Sequence, residues 1–312
     1  MQDNARKITY GAMMIALFAI LLAVSLYVPL LGSIIMFFIP LPIILYRLRY
    51  DRASSLLVTT TGIILSSLVG GVILVPFAFV LGLLGIVIGE TVSIGKTKLY
   101  TLMATGLTLL ITGTIIYVIA VFAFNFNVID EFFTTMDEAR EQMTSFMGTL
   151  GGLPDNYDKL IDSQIEFYQT VIPSLFIISI FVLAFIFITL NLGAASQLGN
   201  KVPKFPPFRE MKLPVATVIV YGILLLWSLF TPAEPGTNFY LISINATVIL
   251  RFLFLLQGIS FVHHFIYVMK APKVMTGIAT IFALLLSPIT TMLGILDTGM
   301  NIRAWIGKDK LK

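Results

Sequence analysis

Few residues in this chain have side chains suited to acting on a ligand. Arg251 stands midway along an apolar run over 239–269, where a charge in lipid is costly and marks a functional hypothesis. Asn245 precedes it by six residues and Gln257 follows it by six. The three form a candidate ligand-binding set, although such steps do not bring all of them to one helix face. Two readings of Arg251 compete. Either it meets an anionic group of a substrate or lipid inside a helix bundle, or it is a structural ion pair or a snorkelling side chain. Glu90 ends an earlier apolar run too near its edge to be an assured partner, and Asp297 reaches Arg251 only if the last run bends inward.

Other chemistries find no support. His263 and His264 are adjacent, so on a helix they diverge by about 100° and do not share a metal. They read as interfacial residues beside Tyr267 and Lys270. The chain has no cysteine, which removes disulfides, thiolate catalysis, cysteine-ligated zinc and iron–sulfur clusters. No serine–histidine–acid order, phosphate-binding loop or His-Glu-x-x-His motif occurs. A lone Glu90 argues against a proton-relay antiporter, and Asn191 and Gln197 read as polar groups at a helix end. No cofactor and no metal are expected, and an enzyme is the least supported class.

The elements that would position these residues are apolar helices. Of the 312 residues 58% are hydrophobic and 12% charged, with a mean hydropathy of +0.97; soluble domains carry about a quarter charged residues. The chain therefore reads as an integral membrane protein, and no basic block resembles a nucleic-acid patch. A bilayer core needs about 20 apolar helical residues. Runs that qualify cover 8–30, 32–46, 54–70, 72–89, 99–123, 171–193, 214–231, 239–269 and 275–296. The second is short and holds Pro40 and Pro42, Gly70–Gly71 reads as the turn of a hairpin, and Pro288 kinks the last run by removing a helix bond. The first is too long for a signal-peptide core and lacks a small-residue cleavage site, so it is expected to be retained. Within it Ala12, Ala16, Ala19 and Ala23 fall on one helical stripe, a face that a partner helix can approach closely in lipid. The same stripe also fits a plain first span with common alanines. Gly85 and Gly89 make a helix-packing pair of the same kind.

Basic residues set the expected orientation. Arg6 and Lys7, then Arg47, Arg49 and Arg52, then Lys96 and Lys98, the 201–212 cluster, and Lys270 and Lys273 all fall on one side if the N-terminus is cytoplasmic. Residues 125–170 fall on the other side and carry nine acidic residues against Arg140 and Lys159. Nine crossings would put Arg303, Lys308, Lys310 and Lys312 outside; eight, with the short second run or the Pro288 segment re-entrant, bring them back. Both counts stay open. In 125–170, Ile129, Phe132, Phe133, Met136, Met143, Phe146, Met147 and Leu150 keep helical spacing, Gly151–Asn156 is turn chemistry, and Leu160, Ile161, Ile165 and Tyr168 resume the stripe. This predicts an extracytoplasmic helical hairpin that prolongs the fifth and sixth spans, serving as a lid or docking surface, or as a solvated acidic cap. The linker Lys201–Val–Pro–Lys–Phe–Pro–Pro–Phe–Arg209 is extended, basic and aromatic, an interfacial anchor or a partner contact. The expected architecture is all-α and polytopic, with 8–9 transmembrane helices. It divides into membrane helices over 1–124, the hairpin over 125–170, and membrane helices with a basic tail over 171–312, in one integrated membrane domain.

Several segments carry a resemblance to a known family. Lys7–Ile–Thr–Tyr–Gly–Ala–Met–Met–Ile–Ala16, Pro40–Leu–Pro–Ile–Ile–Leu–Tyr–Arg–Leu–Arg–Tyr50, Gly70–Gly71, Leu256–Gln–Gly–Ile–Ser260 and Gly294–Ile–Leu–Asp297 resemble the YybS family, multi-pass membrane proteins of Firmicutes. That family is in turn similar to the substrate-binding (S) components of energy-coupling-factor vitamin transporters, whose first helix meets the coupling protein through an Ala-xxx-Ala face matching Ala12 and Ala16. The resemblance implies an S-component-like core over roughly 8–193 with a C-terminal extension, in the bacterial cytoplasmic membrane. Here it implies a small-molecule binding or transport protein that works by itself or with a membrane coupling partner. The rival expectation is a non-transporting scaffold that organises envelope proteins.

Overall fold

The computed structural model describes residues 2–150, 156–230 and 236–304, and among these the regular structure is helical throughout. The chain divides into two compact units, one of residues 1–145 and 179–205, the other of 146–178 and 206–312. Gly151, Gly152, Leu153, Pro154 and Asp155, expected as part of a turn, and the tail lysines lie outside the described residues.

The first unit opens with α1 (Gln2–Tyr27), which buries Gly11, Met14, Phe18 and Leu22 along one stripe. That stripe lies on α3 (Leu41–Arg49) and α4 (Arg52–Gly70). A methyl on Gly62 of α4 would come within 3.2 Å of the Phe18 ring. The expected second span is broken. α2 (Leu31–Ile35) and a 3-10 turn over Met36–Phe38 precede α3. Leu30 adopts a positive φ of 62° to turn the chain, and Pro40 and Pro42 start α3, where a missing N–H costs nothing. Asp51 caps α4 by accepting from the Ser54 N–H at 3.1 Å, and pairs with Lys7 of α1.

Gly71, at φ 70°, ends α4 and turns the chain into α5 (Leu74–Ser93), which packs back on α4 and on α3. A Cβ on Gly85 would stand 2.6 Å from the Ile43 Cβ, and one on Gly89 2.8 Å from the Arg47 Cβ. These glycines thus let α3 and α5 touch, and beside them Arg47 donates to Glu90 at 2.7 Å. α6 (Lys98–Phe124), capped by Thr97, stops at Asn125 in the left-handed region. Asn127 then accepts from the Ile129 N–H and starts α7 (Val128–Leu150). The fifth span is therefore not prolonged into α7, because asparagines at 125 and 127 terminate one helix and cap the next.

α8 (Tyr157–Gln197) is one helix from the acidic segment through the sixth span, and its 179–197 portion belongs to the first unit. Asn191, expected near a helix end, is fully buried there and donates to the Phe37 carbonyl at 2.8 Å. The broken segment before α3 leaves that carbonyl without a helix donor, and Asn191 supplies one.

In the second unit, α10 (Asn238–Val268) is the centre. α9 (Val215–Phe230), α11 (Lys273–Leu285) and α12 (Ser287–Met300) each contact it. α11 and α12 meet at Leu286 with a bend of 104°, a broken span or a re-entrant pair. Pro288 does not kink a continuous helix there; it sits in the first turn of α12, after the break. α10 and α12 cross at backbone contact, since a Cβ on Gly258 would fall 1.9 Å from the Thr290 carbonyl oxygen and one on Gly294 1.9 Å from that of Phe254.

Candidate functional site

The structure sends the three candidate ligand residues to three different tasks. Arg251 is exposed on α10, and its Nε donates to the Tyr221 hydroxyl of α9 at 3.2 Å. Tyr221 is buried against the Phe254 ring. No carboxylate pairs with Arg251 among the described residues.

Asn245 repairs a helix. Pro173 lies inside α8 and disturbs the local ladder. The Ser174 N–H, whose regular helical acceptor is the Thr170 carbonyl, donates to Asn245 Oδ1 at 2.9 Å. Asn245 Nδ2 donates to that Thr170 carbonyl, also at 2.9 Å. One side-chain amide of α10 thus engages both the donor and the acceptor of the helical step beside Pro173.

Gln257 belongs to a buried polar cluster at the α10–α12 crossing. Its Oε1 accepts from the Leu213 N–H at 3.1 Å, and its Nε2 donates to Asp297 Oδ2 at 2.5 Å. The same carboxylate oxygen accepts from Arg303 Nε at 2.7 Å. Arg303 Nη1 donates to the Arg209 carbonyl at 2.6 Å and Nη2 to Ser260 Oγ at 3.1 Å, while Ser260 donates to the Phe208 carbonyl at 2.7 Å. Arg303 is 5% exposed and Asp297 4%. A buried ion pair of this kind needs such hydrogen bonds to offset the cost of desolvating its charges; here they converge on Asp297 Oδ2, and Oδ1 is buried without a partner among the described residues. Together these side chains clamp the 208–213 linker onto the helix crossing. Asp297 therefore meets Arg303 and Gln257 rather than Arg251, and Glu90 meets Arg47.

Sequence reasoning left this cluster unassembled, reading Gln257 as a ligand contact and Arg303 as part of a tail. A usable signal was present: Gly258 and Gly294 each sit beside polar residues, Gln257 and Ser260 on one helix and Asp297 on the other. Those are the very segments that carry the YybS resemblance at this end of the chain. His263 accepts or donates at Thr280 Oγ1, 2.7 Å away, and meets the Phe208 ring edge on. No group of three or more metal-type ligands forms among the described residues.

In the first unit the alanine stripe of α1 lies off its core face. Ala12 and Ala16 are exposed, Ala19 and Ala23 half-buried. Beside Ala16 a shallow groove of about 600 Å³ is walled by apolar side chains, among them Met13, Leu17, Ile20 and Leu45. On α7 the apolar positions Phe132, Met143 and Phe146 stand exposed.

Among the described residues seven stretches are long and apolar enough to cross a membrane, or eight if the bent α11–α12 pair is one span; α9, at 16 residues, is shorter. These features define a polytopic, all-helical membrane protein. Within that class the chain belongs to the family described as predicted membrane protein (DUF2232), whose model matches residues 16–298. It is 28% identical over 306 residues to the uncharacterized protein YybS of Bacillus subtilis (strain 168), a match covering 96% of this chain and 98% of that relative. No solved structure matches it.

Proposed function

We propose that this chain is a small-molecule binding or transport component of the bacterial cytoplasmic membrane, working through a partner membrane protein and carrying out no chemistry itself. The observation that supports this best is the outer face of α1. Ala12 and Ala16 are exposed beside an apolar groove, and small side chains on an exposed membrane helix favour close approach by a second helix. The likeness of this face to the Ala-xxx-Ala contact of S components points to a coupling protein as that partner. Arg251, exposed and bonded only to a tyrosine hydroxyl among the described residues, keeps donor capacity for an anionic ligand group. The basic residues on alternate connections support a cytoplasmic N-terminus and an extracytoplasmic 125–170 segment.

A second reading, a scaffold that organises envelope proteins, has its own support. Asn245 and Gln257 spend their amides on helix contacts, as a protein without an internal ligand would use them.

Mass spectrometry of the gently solubilised native protein separates the two. A stoichiometric small molecule lost on Arg251→Ala, and a copurifying membrane subunit lost on Ala16→Trp, are expected. A stable envelope-protein partner with no small molecule would overturn the transport reading in favour of the scaffold.

A further inference from the structure

Where the 208–213 linker crosses the end of α10, the second unit carries an open surface cavity of about 340 Å³ beside the polar clamp. Its wall includes Arg209 and Lys212 of the linker, His264 of α10, and Asn301 and Arg303 beyond α12. Arg303 is buried and oriented by three hydrogen bonds, so two of its five guanidinium N–H groups have no partner among the described residues. The Arg209 guanidinium lies over the Tyr267 ring, 3.9 Å from its centroid, and stacking of this kind leaves the in-plane N–H edge available. Lys212 Nζ has only a long contact, 3.4 Å to Asn301 Oδ1. Arg303, Asp297, Lys212 and Arg209 are the charges that act on His264.

The charge balance indicates the class of ligand that fits. Three cations, Arg209, Lys212 and Arg303, face two carboxylates, Asp297 and Glu210. Asp297 is already bonded to Arg303 and Gln257, and one positive charge is left over. A singly charged anion with several acceptor oxygens matches that excess and the spread of donors around the cavity. Phe208 and Tyr267, both exposed at its edge, are the aromatic types that settle at the headgroup level of a bilayer.

We propose that this cavity binds a singly charged phosphate group, the phosphodiester of an anionic phospholipid headgroup, through Arg209, Lys212 and Arg303. A soluble phosphate ester offers the same chemistry, and the test tells the two apart. It does not depend on the α1 reading, since no residue is shared.

The full chain is delipidated in mild detergent and titrated with phosphatidylglycerol or phosphatidylcholine under native mass spectrometry. Inorganic phosphate is titrated separately, with thermal unfolding as the readout. One phosphatidylglycerol per chain is expected in preference to phosphatidylcholine. Its affinity should fall about five-fold for each charge removed in Lys212→Gln and Arg209→Gln. Lys273→Gln, which removes a charge outside the cavity, should leave it unchanged. Stabilisation by inorganic phosphate that Lys212→Gln abolishes, with no preference between the lipids, would support the site and assign it to a soluble ester. No preference for either probe, or an equal loss in Lys273→Gln, would overturn the proposal. Lys212 is exposed and clear of the buried clamp, so Lys212→Gln is a variant expected to fold.

Discussion

Single side chains in this protein do work that their positions in the sequence do not announce. Asn245 is an intramembrane amide of the kind that suggests a ligand, yet its two polar atoms bond the Ser174 N–H and the Thr170 carbonyl beside Pro173. Asn245→Ala leaves both backbone groups without that bridge and should cost about 1–3 kcal/mol, read as a lower thermal midpoint in detergent. A midpoint equal to wild type would mean that water or a local helical adjustment serves as well. Asp51 gives a pH signature. Lys7, then the Ser54 N–H and hydroxyl, hold its carboxyl well below the usual carboxylate range. A carboxyl depressed in the folded state stabilises most above its unfolded value near 4 and loses that contribution as the pH falls through the folded value. The stability gap between wild type and Asp51→Asn should therefore be full at pH 6 and shrink on acidification below about pH 4. A gap that widens in acid contradicts this cap.

At the scale of elements, glycine decides which helices touch. α10 and α12 meet backbone to backbone at Gly258 and Gly294, and nothing larger than hydrogen fits between them. Gly258→Ala must push α12 away and loosen the Gln257–Asp297–Arg303 clamp, so a loss of about 1–3 kcal/mol is expected. Gly277 of α11 has open space around it; Gly277→Ala should be neutral or slightly stabilising, by up to about 1 kcal/mol. Denaturation of the two variants side by side tests whether the crossing, rather than helix propensity, sets the result. The connection between α6 and α7 follows a different rule. Asparagines at 125 and 127 impose a stop and a start whatever the apolar pattern around them. For that reason the expected prolongation holds for α8 and fails for α6.

At the scale of the whole molecule, the question is which connections face which side. The chain has no cysteine, so single cysteines can be introduced without background. On the proposed orientation, Lys201→Cys reacts with an impermeant maleimide only from the cytoplasmic side and Glu141→Cys only from outside. Both reacting from the same side would reverse the assignment of the acidic segment. Ala304→Cys, just beyond α12, then reports whether the bent α11–α12 pair crosses fully or returns to the side it entered from.

Composition and hydropathy were enough to establish a polytopic helical membrane protein and to place most of its spans, because lipid demands long apolar helices and penalises nearly every alternative; the family came from the resemblance of particular segments. The break around Pro40 and Pro42, the turn at Gly70–Gly71 and the amphipathic helix over 128–150 were also legible, since proline, glycine and helical periodicity act locally. What polar side chains do was not. Asn191, Asn245, Gln257, Asp297 and Arg303 each met a partner on another segment, some of them carbonyls released by a break or a proline. A linear sequence gives the spacing along one helix but not the crossing points between helices. Only the tertiary structure, by bringing Gly258 against α12 and Pro173 against α10, decided which of these groups became clamps and which were left with donors to offer.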